Sequence, residues 1–222
     1  MQKISQKQID LSKQRKYAIG VAKFWLGKDN TMPKQAKTLT AQDLRRVLDY
    51  IATRPHATRN RTMLLATHFS GMRCGEISSL RYRDVLDNSG VIRDEIRLDA
   101  LQTKGKHGRT VFLNAKLKRE LSSYIAQHPQ TNPEHKLFYT QKREINGFTP
   151  NTLAQHFHYL YKKAGIDGAS SHSGRRTFIT NLAQKGVGVR VLMSLAGHKS
   201  ISTTQAYIDV NDDMKRRAVE MI

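Results

Sequence analysis

Cysteine is almost absent. Cys74 is the only one in 222 residues, which excludes an intramolecular disulfide framework and any multi-cysteine zinc site. No apolar run approaches the roughly 18 residues that a membrane helix needs, and Met1 to Asp10 lacks the apolar core of a secretory signal. Acidic residues are scarce as well: 18 Asp and Glu stand against 38 Lys and Arg, a formal net charge of +20. Such a surplus repels itself until a polyanion neutralises it, so nucleic acid is the expected partner and a membrane is not. The expected location is intracellular, where that nucleic acid is found.

Apolar residues make up 38% of the chain, ample for a core. Residues 1–37 carry nine Lys or Arg and only Asp10 and Asp29 as acids. This segment reads as a basic extension with weak helical character from Asp10 to Leu26, followed by a linker broken at Pro33. From residue 38 to 222 the pattern is that of one domain, mostly helical with a small antiparallel sheet. Thr40 with Asp43 resembles a capping box, and Leu44, Val47, Leu48 and Ile51 form the stripe of the helix that follows. A second helix is expected over Thr58–Ser70, stopped by Gly71, and a short one after Gly75. Asp87-Asn88-Ser89-Gly90 is a turn. Glu95–Leu98 and Thr110–Leu113 read as strands of a hairpin around a polar connection. Helices are expected over Ala115–Ala126, Asn151–Ala164, Gly174–Gln184, Val189–Ala196, Ser202–Ile208 and Asp212–Met221. Tyr50, Tyr124 and Tyr159 sit at apolar helical spacing and read as core.

The last third is the most specific part. His172-Ser173-Gly174-Arg175 places a histidine and an arginine on one side of a helix start. Ala196-Gly197-His198 sets a second histidine behind a glycine stop, and Thr203-Thr204-Gln205-Ala206-Tyr207 follows. Upstream, Arg73 lies in the tight turn Ser70-Gly71-Met72-Arg73-Cys74-Gly75-Glu76, and Lys104, Lys106, His107 and Arg109 lie on the hairpin connection.

In this order and spacing the chain resembles the tyrosine recombinase (phage integrase) family, over about Leu39 to Val210. The resemblance implies Tyr207 as nucleophile, Arg73 and Arg175 as the two catalytic arginines, and His172 and His198 as the histidine-class positions. It implies Lys104 as the hairpin lysine, with Lys106 as a competitor, and Glu76 as the acid that buttresses the first arginine. DNA contacts are expected from Lys106, His107, Arg109, Arg176 and Lys199. Double-stranded DNA would be the substrate, bound by a homotetramer on paired sites, in the cytoplasm and at the nucleoid of a bacterium or as a phage product. Asp212–Ile222 would be a helix docking in a neighbour or folding back on its own domain. The short N-terminus is similar to recombinases that invert fimbrial switches, or to a piece of a longer protein, and an accessory DNA-binding or core-binding partner would then help. Gly174, Arg176 and Phe112 depart from the family pattern, which usually has a larger residue, a histidine and a proline there.

The residue types suit that chemistry. Attack on a phosphodiester builds charge on the equatorial oxygens, and two guanidiniums stabilise it without a metal ion. A phenolate leaves far more readily than an alkoxide, so the covalent bond is reversible. A neutral histidine removes the phenolic proton, and a lysine protonates the departing oxygen. Neither metal nor ATP is required. Two readings compete: a relaxase using His156-Phe157-His158 as a metal motif, and a regulator that keeps the fold without cutting.

Overall fold

Thr40 and Asp43 start α1 (Ala41–Ala52) by satisfying each other's backbone: the Thr40 hydroxyl accepts from the Asp43 amide and the Asp43 carboxylate accepts from the Thr40 amide, both at 3.0 Å. The computed structural model describes residues 35–103, 107–140, 147–208 and 212–222. The expected basic extension therefore lies outside the described residues up to residue 34, and Lys104 and Lys106 lie outside them too.

Val47 and Ile51 are buried along α1, with Leu44 and Leu48 packed against the same core. Next comes α2 (Ala57–Ser70), which buries residues all round its circumference, including Thr62, Met63, Leu64, Leu65, Ala66 and Thr67. A helix covered on every side is a central one, and α2 lies between α5 (Ala115–Gln127) and α7 (Ser173–Gln184). Gly71 ends it in the left-handed conformation, and the chain turns sharply into α3 (Cys74–Ser79) and α4 (Tyr82–Val85).

The hairpin pairs β1 (Glu95–Leu98) with β2 (Arg109–Phe112) in the register Glu95–Phe112, Ile96–Val111, Arg97–Thr110 and Leu98–Arg109. Ile96, Leu98 and Val111 face the core while Phe112 is exposed, so the residue at that departure sits on the outer face. β2 lies one residue earlier than expected, which brings Arg109 onto the strand.

Thr149 caps α6 (Pro150–Lys163), which packs on α1 and α3. After α7 come α8 (Val189–Ala196), α9 (Ile201–Gln205) and α10 (Asp212–Val219). The fold is α+β and mostly helical, as expected, with differences at particular elements. The single turn of α4 is too short to show a period. Tyr124 is core, but Tyr159 is half exposed on the outer side of α6, because its spacing follows the edge of the apolar stripe rather than its centre. Tyr207 lies beyond α9 in a turn closed by its amide on the Thr204 carbonyl at 3.0 Å. In the single chain α10 folds back, and Met221 approaches Gly186 at the end of α7.

Candidate active site

A helix leaves its last carbonyls without helical partners and its C-terminal end partly negative. At the end of α8 the chain satisfies two of these itself, through the amides of Gly197 and His198. Three arginines from three other elements take the next carbonyls in order. Arg109 on β2 donates to Leu195 O at 2.7 Å, Arg175 on α7 to Ala196 O at 2.6 Å, and Arg73 before α3 to Gly197 O at 3.1 Å. This gathers three cations where the helix end offsets their mutual repulsion. Gly197 is required for it: the residue sits at φ 61°, and a Cβ would stand 2.6 Å from Arg109 Cδ.

Glu76 holds two of the three. Only 1% exposed, it accepts Arg109 Nη2 at 2.7 Å and Nε at 3.0 Å, a bidentate pair. It also accepts Arg73 Nη1 at 3.0 Å and the Arg73 amide at 2.8 Å. Burial alone would raise its carboxyl, but Arg109 and Arg73 hold it below the usual carboxylate range. Glu76, expected to buttress Arg73, lies against both its guanidinium and its amide. Arg109 differs from expectation. Its side chain is buried, and Nε, Nη1 and Nη2 all bond inward, so it anchors the hairpin to α3 and α8 rather than reaching out to DNA.

Arg175 is 4% exposed, and its Nη1 donates to Gly71 O at 2.6 Å, tying the end of α2 to the end of α8. Burial, with Arg73 and Arg109 nearby, pulls it down to about 9, still charged at neutral pH. The tight seating of α7 explains Gly174, since a Cβ there would lie 1.9 Å from Thr67 Oγ1 on α2. A larger residue would push α7, and Arg175 with it, away from Gly71.

His198 Nδ1 is 2.9 Å from Thr204 Oγ1, itself fully buried. Burial and then Arg175, Arg73 and Arg109 push its imidazole down to about 4, so it is neutral at pH 7. Its ring stacks on that of Tyr207, with centroids 5.6 Å apart at 25°. The Tyr207 carbonyl accepts from Thr180 on α7 at 3.4 Å, and the Arg176 guanidinium lies 5.3 Å over the phenol ring. Arg176, expected on DNA, is therefore turned toward Tyr207 and toward Thr38, whose hydroxyl accepts from its Nε at 3.0 Å.

Arg73 lines two clefts. One, of about 590 Å³, brings it together with Thr103, His107, His198 and Lys199. The other, of about 740 Å³, brings it together with Cys74, Lys136, Thr149 and the exposed His172. His107 and Lys199 are exposed, in positions open to a large ligand. Thr204 and Thr38 went unmarked in the sequence. Thr204 had a signal in retrospect, being three residues before Tyr207 and so one turn back toward His198; Thr38 had none.

His156 and His158, two apart on α6, point to different sides. His156 meets Asn60 Oδ1 at 3.1 Å and burial pushes it down to about 4, whereas His158 is exposed. Among the described residues no cluster of three or more His, Cys, Asp or Glu forms a metal site, and no helix is long and apolar enough to cross a membrane.

The family model described as the phage integrase family matches residues 37–214. A tyrosine recombinase of Pseudothermotoga lettingae is 29% identical over 87% of this chain and 60% of its own length. Tyrosine recombinase XerA of Pyrococcus furiosus is 26% identical over 86% of this chain and 62% of its own. The chain thus spans about three fifths of the length of these relatives. A crystal structure of XerA recombinase superposes with a TM-score of 0.66 at 25% identity, covering 95% of this chain and 76% of that one. The pre-cleavage complex of XerH with its difH substrate has the same fold, with a TM-score of 0.61 at 22% identity over 95% of this chain and 65% of that one.

Proposed function

The chain belongs to the phage integrase family, and on that premise we propose that it cleaves and rejoins double-stranded DNA site-specifically, with Tyr207 as the nucleophile. The observation that carries the reading is the set of guanidiniums on successive carbonyls at the end of α8, beside the stacked rings of His198 and Tyr207.

In the proposed reaction the Tyr207 oxygen attacks phosphorus and gives up its proton to His172, the better base by resemblance. The bond from phosphorus to the 5′ oxygen breaks, and a 3′-phosphotyrosine is left. Arg73 and Arg175 hold the non-bridging oxygens. Each terminal nitrogen of Arg175 has one N–H on a carbonyl and a second to give, so burial need not prevent this. In the tautomer that serves this reaction His198 carries its proton on Nε2, which donates to the phosphate, while Nδ1 accepts from the Thr204 hydroxyl. The departing 5′ oxygen takes its proton from Lys104 or Lys106. Attack of a 5′ hydroxyl on the phosphotyrosine reverses the steps and restores the phenol, without metal or ATP.

His107 and Lys199, exposed at the mouth of the first cleft, are proposed contacts to the duplex. Work in pairs on two sites calls for a homotetramer. Its place of action is the cytoplasm, at the nucleoid. The roles are tested with DNA in which the departing 5′ oxygen is replaced by sulfur, a leaving group that needs no proton. Lys104→Ala should be slow on ordinary DNA and recover on the sulfur substrate, while Arg175→Ala should recover on neither. Recovery of Lys106→Ala instead would move the role to Lys106, and recovery of Arg175→Ala would overturn the phosphate-clamp assignment.

A further inference from the structure

Arg176 follows Arg175 on α7, so its side chain leaves the helix about 100° round from the buried one. Among the described residues no carboxylate forms an ion pair with it. Its Nε donates to the Thr38 hydroxyl at 3.0 Å, and its guanidinium carbon lies 5.3 Å from the centre of the Tyr207 ring. The segment that carries Thr38 is itself fixed. The Leu39 amide donates to Thr177 Oγ1 at 2.8 Å, and the Lys37 amide to Gly168 O at 3.0 Å. The Tyr207 carbonyl accepts from Thr180, four residues along α7 from Arg176 and on the same face. A cation held over an aromatic face is attracted to it, more so when the ring oxygen becomes negative.

We propose that Arg176 is a positioning residue for the Tyr207 nucleophile, holding the phenol ring through its guanidinium and linking it through Thr38 to the segment that enters the domain. The inference rests on Tyr207 being the nucleophile. It assigns Arg176 a purpose other than the DNA contact expected from sequence, and it gives the chain preceding α1 a mechanical path to the reacting residue. Among the described residues, the charged and titratable groups that face Tyr207 are Arg176 and Arg175 from α7 and His198 from the end of α8. Of the two arginines, Arg175 is held on the Ala196 carbonyl at the end of α8, whereas Arg176 bonds to the Thr38 hydroxyl.

The test compares Arg176→Gln, Arg176→Lys and Thr38→Val for the rate of covalent-complex formation on nicked DNA across pH, with folding checked by thermal unfolding. Arg176→Gln should be roughly fivefold slower at pH 7, the size of one exposed cation–aromatic contact, and its rate profile should move to higher pH. Arg176→Lys should recover part of the rate and the wild-type profile. Thr38→Val should slow the wild type but not the Arg176→Gln variant. A second measurement needs no DNA: in protein labelled with 3-fluorotyrosine, the fluorine resonance lost in Tyr207→Phe should shift in Arg176→Gln. An unchanged profile and an unmoved resonance in Arg176→Gln would overturn the proposal. A wild-type protein that forms no covalent complex, or a complex that survives Tyr207→Phe, would instead overturn the nucleophile reading, leaving the fluorine result to judge the contact alone.

Discussion

Replacing Glu76 by glutamine should unfold the protein at a much lower temperature, although the side chain keeps its shape. The carboxylate accepts four hydrogen bonds, two from Arg109 and two from Arg73. An amide supplies one oxygen, so on its other side N–H groups face N–H groups. The Arg109 side chain is 9% exposed and Glu76 1%, and breaking a buried pair by neutralising one partner costs about 3–5 kcal/mol. For a domain of this size that corresponds to a fall in Tm of roughly 6–20 °C. Arg73 would lose its rigid support as well, and if it clamps the phosphate as proposed, its displacement costs on the order of 100-fold in rate. The two effects separate in the double variant Glu76→Leu/Arg109→Met. Removing both charges should restore most of the stability, while cleavage stays low because Arg73 still lacks its carboxylate. The folded-state carboxyl of Glu76 is held below its unfolded value. Its stabilisation is therefore complete above the ordinary glutamate range and disappears as pH falls through the lower folded value. Scanning calorimetry of wild type, Glu76→Gln and the double variant from pH 7 downward tests all of this. A change under about 1 kcal/mol for Glu76→Gln at pH 7, or a double variant less stable than the single one, would refute the reasoning.

Gly174→Ala should destabilise by about 1–3 kcal/mol, the cost of overpacking, and Thr67→Ala should relieve part of it; chemical denaturation with an unchanged m-value checks both. His198 has a folded-state value near 4 against an unfolded value near 6.5. The unfolded chain thus binds the extra proton, and the stability this histidine contributes is present above pH 6.5 and lost as pH falls toward 4; His198→Asn should flatten that part of the stability profile. DNA affinity should fall steeply with salt, and Lys199→Ala should reduce the slope of log K against log salt by about one contact's worth, measured by fluorescence anisotropy at several ionic strengths. Deleting Asp212–Ile222 should leave half-site binding intact and weaken assembly on paired sites, read from gel shifts.

The legible parts of the fold were those with local causes. The Thr40–Asp43 box and the Gly71 stop act over three or four residues, and the structure has them where the pattern places them. The local positions of His172, Arg175, His198 and Tyr207 were legible because each lies next to a helix start or stop. Arg109 was not, because its partner Glu76 is 33 residues away and nothing in either segment says that strand and helix meet. On β2 it lies two residues before the buried Val111, and so on the same inward face. The place of Arg176 was not legible for a related reason: next to a buried arginine on a basic chain it resembles a surface contact, and only the packing of α7 brings it over the Tyr207 ring. Gly174 read as a departure until the closeness of α2 and α7 accounted for it. Tyr159 shows the limit of periodicity, which locates a stripe but not its edge.

The central claim is that Tyr207 forms a covalent bond to DNA. Incubating the protein with nicked suicide DNA carrying its recombination site, in the presence of a metal chelator, tests it most directly. A complex that resists denaturation, formed by the wild type and absent in Tyr207→Phe, is the predicted result; a complex that persists in Tyr207→Phe would contradict the account.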